Sequence, residues 1–267
     1  MSDRTYTKKS LGQHWLDDAY TLNNICEVAD IAEGDHVLEI GPGTGSLTER
    51  LLNLKANVVA VEKDDRLTEG LNRRFVNQSF KLYNDDILKF DLNRLEPGYK
   101  VVANIPYYLT SNLLMYLCSS PNPFSVAVLL VQKEVAERVA AATGKMSVLS
   151  VKVQLVANVS LGDVVPAHFF VPPPKVASQI LILRYRNAPY KYALEPGLHH
   201  LINTAFSQKR KTISNSLSRG LHLPREAVET ALYATGLSPF VRPQSISLDQ
   251  WERLYELLSP LPLSNNA

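Results

Sequence analysis

Between residues 20 and 140 of this 267-residue chain, short apolar, β-branched runs alternate with stretches whose apolar residues recur at helical spacing. No other feature of the sequence limits the fold as strongly. Residues 36–40, 57–61, 80–83, 100–103 and 125–131 read as strands, and residues 20–30, 46–54 and 65–75 as helices between them. Val and Leu runs without polar alternation are buried on both faces, and strands joined through helices lie parallel. A mostly parallel, helix-covered α/β sheet follows. After Lys145 the pattern changes. Residues 148–159 and 177–185 are both β-branched with no helix between them, which predicts an antiparallel edge. Asn187-Ala188-Pro189 then marks a boundary, because proline breaks the ladder. Beyond it, residues 196–217 and 224–235 read as helices, the second opening at Pro224 and stopping at Gly236. Ser247 and Gln250 form a capping box for a last helix, and residues 260–267 are expected to fray. The expected division is residues 1–186, an α/β domain with an N-terminal arm, and residues 187–267, a small all-helical domain.

Composition narrows the classes. No run approaches the ~18 apolar residues of a membrane span, so neither a signal peptide nor a membrane partner is expected. The two cysteines, Cys26 and Cys118, have no metal-ligand spacing and sit among apolar residues. They are expected to be buried, with no metal bound, which suits a cytoplasmic protein. A net charge of +2 does not by itself announce a polyanion binder. The cations are local instead: Arg4, Lys8 and Lys9 in the arm, and the run Lys209-Arg210-Lys211.

The segment after the first strand is Gly41-Pro42-Gly43-Thr44-Gly45-Ser46. Its spacing differs from the dinucleotide glycine pattern, and no Gly-Lys-Ser/Thr follows to cradle phosphates. Glu62 closes the second strand, where a carboxylate can accept both hydroxyls of a ribose. Asp86, after the third, can accept an adenine amino group. Gly41, Gly43, Glu62 and Asp86 thus fall at successive strand ends on the ligand-binding edge of an open α/β sheet. Without a phosphate-binding lysine, the ligand that fits is an adenosyl group lacking phosphates: S-adenosyl-L-methionine.

Asn104-Ile105-Pro106-Tyr107 follows the fourth strand. It resembles the signature of methyltransferases acting on amino nitrogens conjugated to a ring. Such a nitrogen is a poor nucleophile, because its lone pair is delocalised. Accepting its two N–H groups on the Asn104 amide oxygen and the Ile105 carbonyl favours a pyramidal nitrogen. Pro106 holds these acceptors in place, and Tyr107 offers a face for a flipped base.

Three further segments, Ser10 to Leu16, Phe170 to Ser178 and Ala205 to Leu217, carry a narrower likeness. They are similar to the arm, the proline block and the basic helix of the bacterial 16S rRNA dimethyladenosine transferases. The likeness runs from about residue 6 to 258, and departs where Ala177 stands in place of the family's usual Asp. It implies a class I, Rossmann-like, S-adenosylmethionine-dependent methyltransferase domain. It implies further that His14, Leu16 and Asn104 join the cofactor-binding set, and that Phe170 supplies a second stacking face for the target adenine. Lys209, Arg210 and Lys211 would contact rRNA phosphates. The implied reaction is dimethylation at N6 of two adjacent adenosines in the 3′-terminal hairpin loop of 16S rRNA. The implied substrate particle is the immature 30S subunit, and the implied enzyme is a monomer. A 23S rRNA adenine dimethylase and an assembly checkpoint factor with secondary methylation are the alternatives.

Overall fold

A computed structural model describes residues 12–208 and 211–259. It comprises two compact units: Met1–Glu137 with Asn158–Tyr185, and Arg138–Ala157 with Arg186–Ala267.

The first unit is built on a seven-stranded sheet. Its parallel part contains β2 (His36–Ile40), β3 (Asn57–Glu62), β4 (Phe80–Asn84), β5 (Lys100–Asn104) and β6 (Val126–Gln132), and β9 (Ser178–Tyr185) is antiparallel to β6. The spatial order is β4-β3-β2-β5-β6-β9-β7, with β7 (Ala157–Val165) at the edge. Between β2 and β5 the order turns back on itself, and a crevice opens there at the carboxyl ends of the strands. A separate antiparallel pair joins β1 (Trp15–Leu16) to β8 (Phe170–Val171). Helices α1 (Ala19–Val28), α2 (Ser46–Asn53), α3 (Asp65–Arg74) and α4 (Thr110–Cys118) connect the early strands, and α5 (Lys133–Val139) follows β6. Strand residues such as Leu38, Val101, Val102, Val128 and Leu129 are at most 1% exposed, as expected for strands covered on both faces. Cys26 and Cys118 are buried free thiols, both pushed up to about 12 by burial.

The second unit is helical: α6 (Val148–Val156), α7 (Pro196–Phe206), α8 (Ile213–Gly220), α9 (Arg225–Ala234) and α10 (Leu248–Leu258). Helix α7 packs on α6, α8 and α10, and Trp251 of α10 is fully buried.

Three sequence expectations are corrected here. Residues 148–159 do not form one strand: α6 occupies Val148–Val156, and β7 begins at Ala157. The cause is local. Ser147 accepts a hydrogen bond from the Ser150 amide at 3.2 Å, and Ser150 Oγ accepts one from the Ser147 amide, completing a capping box. With the helix nucleated and its side chains buried among other helices, β-branched propensity is overridden. The second unit is therefore discontinuous in sequence, and Arg138–Ala157 groups with the C-terminal helices rather than with a continuous domain 1–186. The expected helix over 196–217 is also broken, into α7 and α8. Lys211 lies in the connection between them, and Lys209 and Arg210 fall outside the described residues, as do residues 260–267.

Candidate active site

The crevice holds a cavity of about 250 Å³, within the first unit. Gly41, Gly43, Glu62, Asp86 and Asn104, read from the strand ends, all line it, as do His14 and Leu16 from the arm. The glycine turn leaves β2 with Gly41, Gly43 and Gly45 at φ of 67°, 59° and 86°. At Gly43 an added Cβ would sit 3.2 Å from Trp15 Cδ1, so the bare backbone lets the arm lie against the turn. At Gly45 it would meet the Phe75 ring at 2.8 Å, which pins α2 against α3.

Glu62 is 6% exposed at the end of β3. Its Oε2 accepts from the Gly43 amide at 3.2 Å and its Oε1 from the Asp64 amide at 2.8 Å. The carboxylate thus ties the glycine turn to the loop after β3. Burial raises its pKa, against these two amide donors. Asp86 pairs with Lys63 at 2.7 Å, and this contact lowers its pKa. Among the described residues lining the cavity, Lys63 is the cation, and it is already committed to Asp86. A buried carboxylate, close backbone approach and no unpaired cation suit an adenosyl group without phosphates.

Asn104 ends β5, and its Nδ2 donates to the His14 carbonyl at 2.8 Å. The amide nitrogen is thereby committed, and the amide oxygen is left as the acceptor. The next residue, Ile105, is buried, with its own amide donating to the Leu130 carbonyl at 3.2 Å; among the described residues its carbonyl accepts no hydrogen bond. Pro106 lines the cavity, and its carbonyl accepts from Leu109 at 2.9 Å, starting a single 3-10 turn. The arm crosses here: Gln13 donates to Asp64 at 2.8 Å, and His14 Nδ1 donates to the Pro172 carbonyl at 2.7 Å.

The two expected stacking residues lie outside this cavity. Tyr107 is half-buried and does not line the cavity. Its hydroxyl lies 2.9 Å from Ser178 Oγ, and its ring stacks on His14 with centroids 5.8 Å apart. Phe170 is 2% exposed and belongs to the hydrophobic core with Leu22, Ile25 and Ile180. The β1–β8 register sets Leu16 opposite Phe170, and both side chains turn inward. The implied second stacking face is therefore not presented to the cavity. The exposed aromatic at the cavity is Tyr108, 60% accessible, for which the sequence held no distinguishing signal.

Sequence reading also missed Glu39, a carboxylate inside an otherwise apolar strand, which was the available signal. It lines the cavity, is 1% exposed, and accepts from Thr48 Oγ1 at 2.7 Å. Burial pushes its pKa from 4.5 up to about 8, with the nearby Glu62 adding to the shift. A raised folded-state pKa favours folding fully at acid pH, and this contribution is lost as pH rises through about 8. Glu39→Gln is expected to gain stability relative to the parent as pH rises from 4.5 to about 8, by ~1.4 kcal/mol for each pH unit in that window, and no more above it. Urea unfolding at several pH values measures this; a difference constant with pH would refute it.

Comparison with known proteins places this arrangement. A dimethyladenosine transferase from Plasmodium falciparum superposes with a TM-score of 0.76 at 27% identity, over 92% of this chain and 98% of that one. The 23S rRNA methyltransferase ErmE superposes with a TM-score of 0.73 at 30% identity, over 92% and 99%. The fold is thus that of the Rossmann-like, S-adenosylmethionine-dependent methyltransferases of class I. Two relatives named ribosomal RNA small subunit methyltransferase A align along most of the sequence. The protein of Dehalococcoides mccartyi (strain CBDB1) is 38% identical over 92% of this chain and 87% of its own length. That of Synechococcus sp. (strain RCC307) is 40% identical over 96% and 97%. Residues 4–259 match the ribosomal RNA adenine dimethylase family, and the chain belongs to that family.

Proposed function

We propose that this enzyme converts two adjacent adenosines in the 3′-terminal hairpin loop of 16S rRNA to N6,N6-dimethyladenosine, acting on the immature 30S subunit. The observation that carries this reading is the Asn104 amide, locked by the His14 carbonyl at the rim of a cavity shared with Glu62 and the glycine turn. Preference for the small-subunit RNA over 23S rRNA is supported by near-full-length relatives of that name at 38% and 40% identity, against 30% for ErmE.

S-adenosyl-L-methionine, the co-substrate, supplies an electrophilic methyl group. Glu62 would accept its ribose hydroxyls and Asp86 its adenine amino group, while Gly41, Gly43, His14 and Leu16 enclose it. The target adenine has to leave its stack to reach the cavity. Asn104 Oδ1 and the Ile105 carbonyl then accept its two N6 hydrogens and draw the lone pair out of conjugation. No general base is required, since the nitrogen sheds its proton readily once alkylated. Tyr107 acts by bracing His14 and by its contact with Ser178. Among the described residues no group of His, Cys, Asp or Glu could hold a metal ion, and no helix is long and apolar enough to cross a membrane. A monomer working in the cytoplasm completes the reading, with Lys209, Arg210 and Lys211 on rRNA phosphates.

The test is incubation with labelled co-substrate and undermethylated 30S subunits, followed by identification and mapping of the modified nucleoside. Dimethyladenosine at two adjacent positions near the 3′ end of 16S rRNA is the expected product. Label in 23S rRNA alone would favour the large-subunit alternative.

A further inference from the structure

The second unit exposes two large aromatics, Tyr233 and Phe240, and the second sits on a turn pinned to the start of a helix. Phe240 is 71% exposed. Its turn is held in place: the Phe240 amide donates to Ser238 Oγ at 3.3 Å and the Val241 amide to the Ser238 carbonyl at 3.0 Å. The same turn caps α8. The Ile213 amide donates to the Val241 carbonyl at 3.2 Å, and the Ser214 amide to the Pro239 carbonyl at 3.4 Å. These contacts satisfy two of the orphan amides at the start of a helix. Pro239 is buried, Val241 is half-buried, and the ring between them faces solvent. Lys211 stands two residues before Ile213, and Arg242 directly follows Val241, so the Ile213–Val241 contact joins the two segments that carry these cations. Both cations are exposed. Among the described residues neither is held in an ion pair, unlike Arg225, which is bound to Glu229 at 2.6 Å.

We propose that Phe240 is a stacking platform for an unpaired rRNA base, with Lys211 and Arg242 holding the flanking phosphates. This rests on the rRNA reading above and extends it to a base contact remote in sequence from the catalytic corner. An exposed ring accepts any base, since every base has a π-face, and adjacent cations attract the backbone that carries it. An exposed ring on segments that carry two exposed cations, neither in an ion pair among the described residues, suits a polyanion better than an apolar protein surface. The turn is held by backbone contacts, so the ring is presented without being needed for the fold.

The experiment compares the full-length protein with Phe240→Ala, Phe240→Tyr and Lys211→Gln on undermethylated 30S subunits. Affinity is measured across a salt series, and the rRNA bases are footprinted chemically. Phe240→Ala is expected to weaken binding roughly 5- to 150-fold with an unchanged salt slope, and Phe240→Tyr to restore it. Lys211→Gln is expected to flatten the slope by about one phosphate contact. The maximal methylation rate at saturating subunits should be the same in the parent and in both Phe240 variants, and one base protected by the parent should become reactive with Phe240→Ala. Unchanged affinity of Phe240→Ala would overturn the proposal. Weakened affinity with every base still protected would also overturn it, and would assign the ring to a ribosomal protein. Failure of the parent protein to methylate the subunits would count instead against the function proposed above.

Discussion

Asn104→Ala is expected to reduce methyl transfer to undermethylated 30S subunits by ~10²–10³-fold or more while the protein remains folded. The side chain stands at the end of β5, which pairs with β2 up to Ala103 and with β6 through Asn104, so its removal leaves the strand intact. What is lost is the acceptor that would make an aromatic amine nucleophilic. One secondary effect is also expected. The amide nitrogen holds the His14 carbonyl at 2.8 Å, so the arm loses one tie, while Gln13 on Asp64 and His14 on Pro172 remain. Affinity for S-adenosylhomocysteine should therefore fall modestly, by less than about 10-fold, the scale of one hydrogen bond. Single-turnover transfer and calorimetric titration separate the two quantities. Transfer within a factor of a few of the parent would remove Asn104 from the mechanism.

Glu62→Gln is expected to show the opposite division, with loss centred on the co-substrate. The carboxylate receives the Gly43 amide on one oxygen and the Asp64 amide on the other. A glutamine has one oxygen to offer, and its amino group would face an N–H wherever it turned. A buried donor set against a donor costs about 1–3 kcal/mol, and the ribose loses a charged acceptor as well. Together these predict S-adenosylhomocysteine binding weaker by ~10²-fold, with a lowered melting temperature. Calorimetry checks the first and thermal unfolding the second. Binding equal to that of the parent would show that the carboxylate supports the turn alone and does not meet the ligand.

The contrast between Glu62 and Phe170 shows what kind of inference a sequence supports. Glu62 could be placed because a parallel strand ends where its apolar run ends, and strand ends in such sheets line one edge. Gly41, Gly43, Asp86 and Asn104 follow from the same rule, and all of them line the cavity. Phe170 could not be placed that way. Its direction depends on β1 pairing with β8, a contact between residues more than 150 positions apart, which no local pattern announces. Tyr107 and Tyr108 are adjacent and chemically alike. Only the 3-10 turn after Pro106 decides which ring is half-buried and which reaches the cavity.

The alternation of apolar strands and helices was enough to determine the parallel sheet, the edge that carries the cavity and the order of the residues that line it there. Local spacing encodes those features directly, because burial on two faces leaves no polar alternation. The fate of residues 148–156 was decided elsewhere. Their β-branched side chains favour a strand, yet the Ser147 cap and burial among the helices of the second unit hold them as α6. The burial of Glu39 and the packing of Phe170 were settled in the same way, by residues distant in the chain. Burial and long-range pairing are sums over the whole fold, and a linear reading sees only the neighbours each residue was synthesised beside.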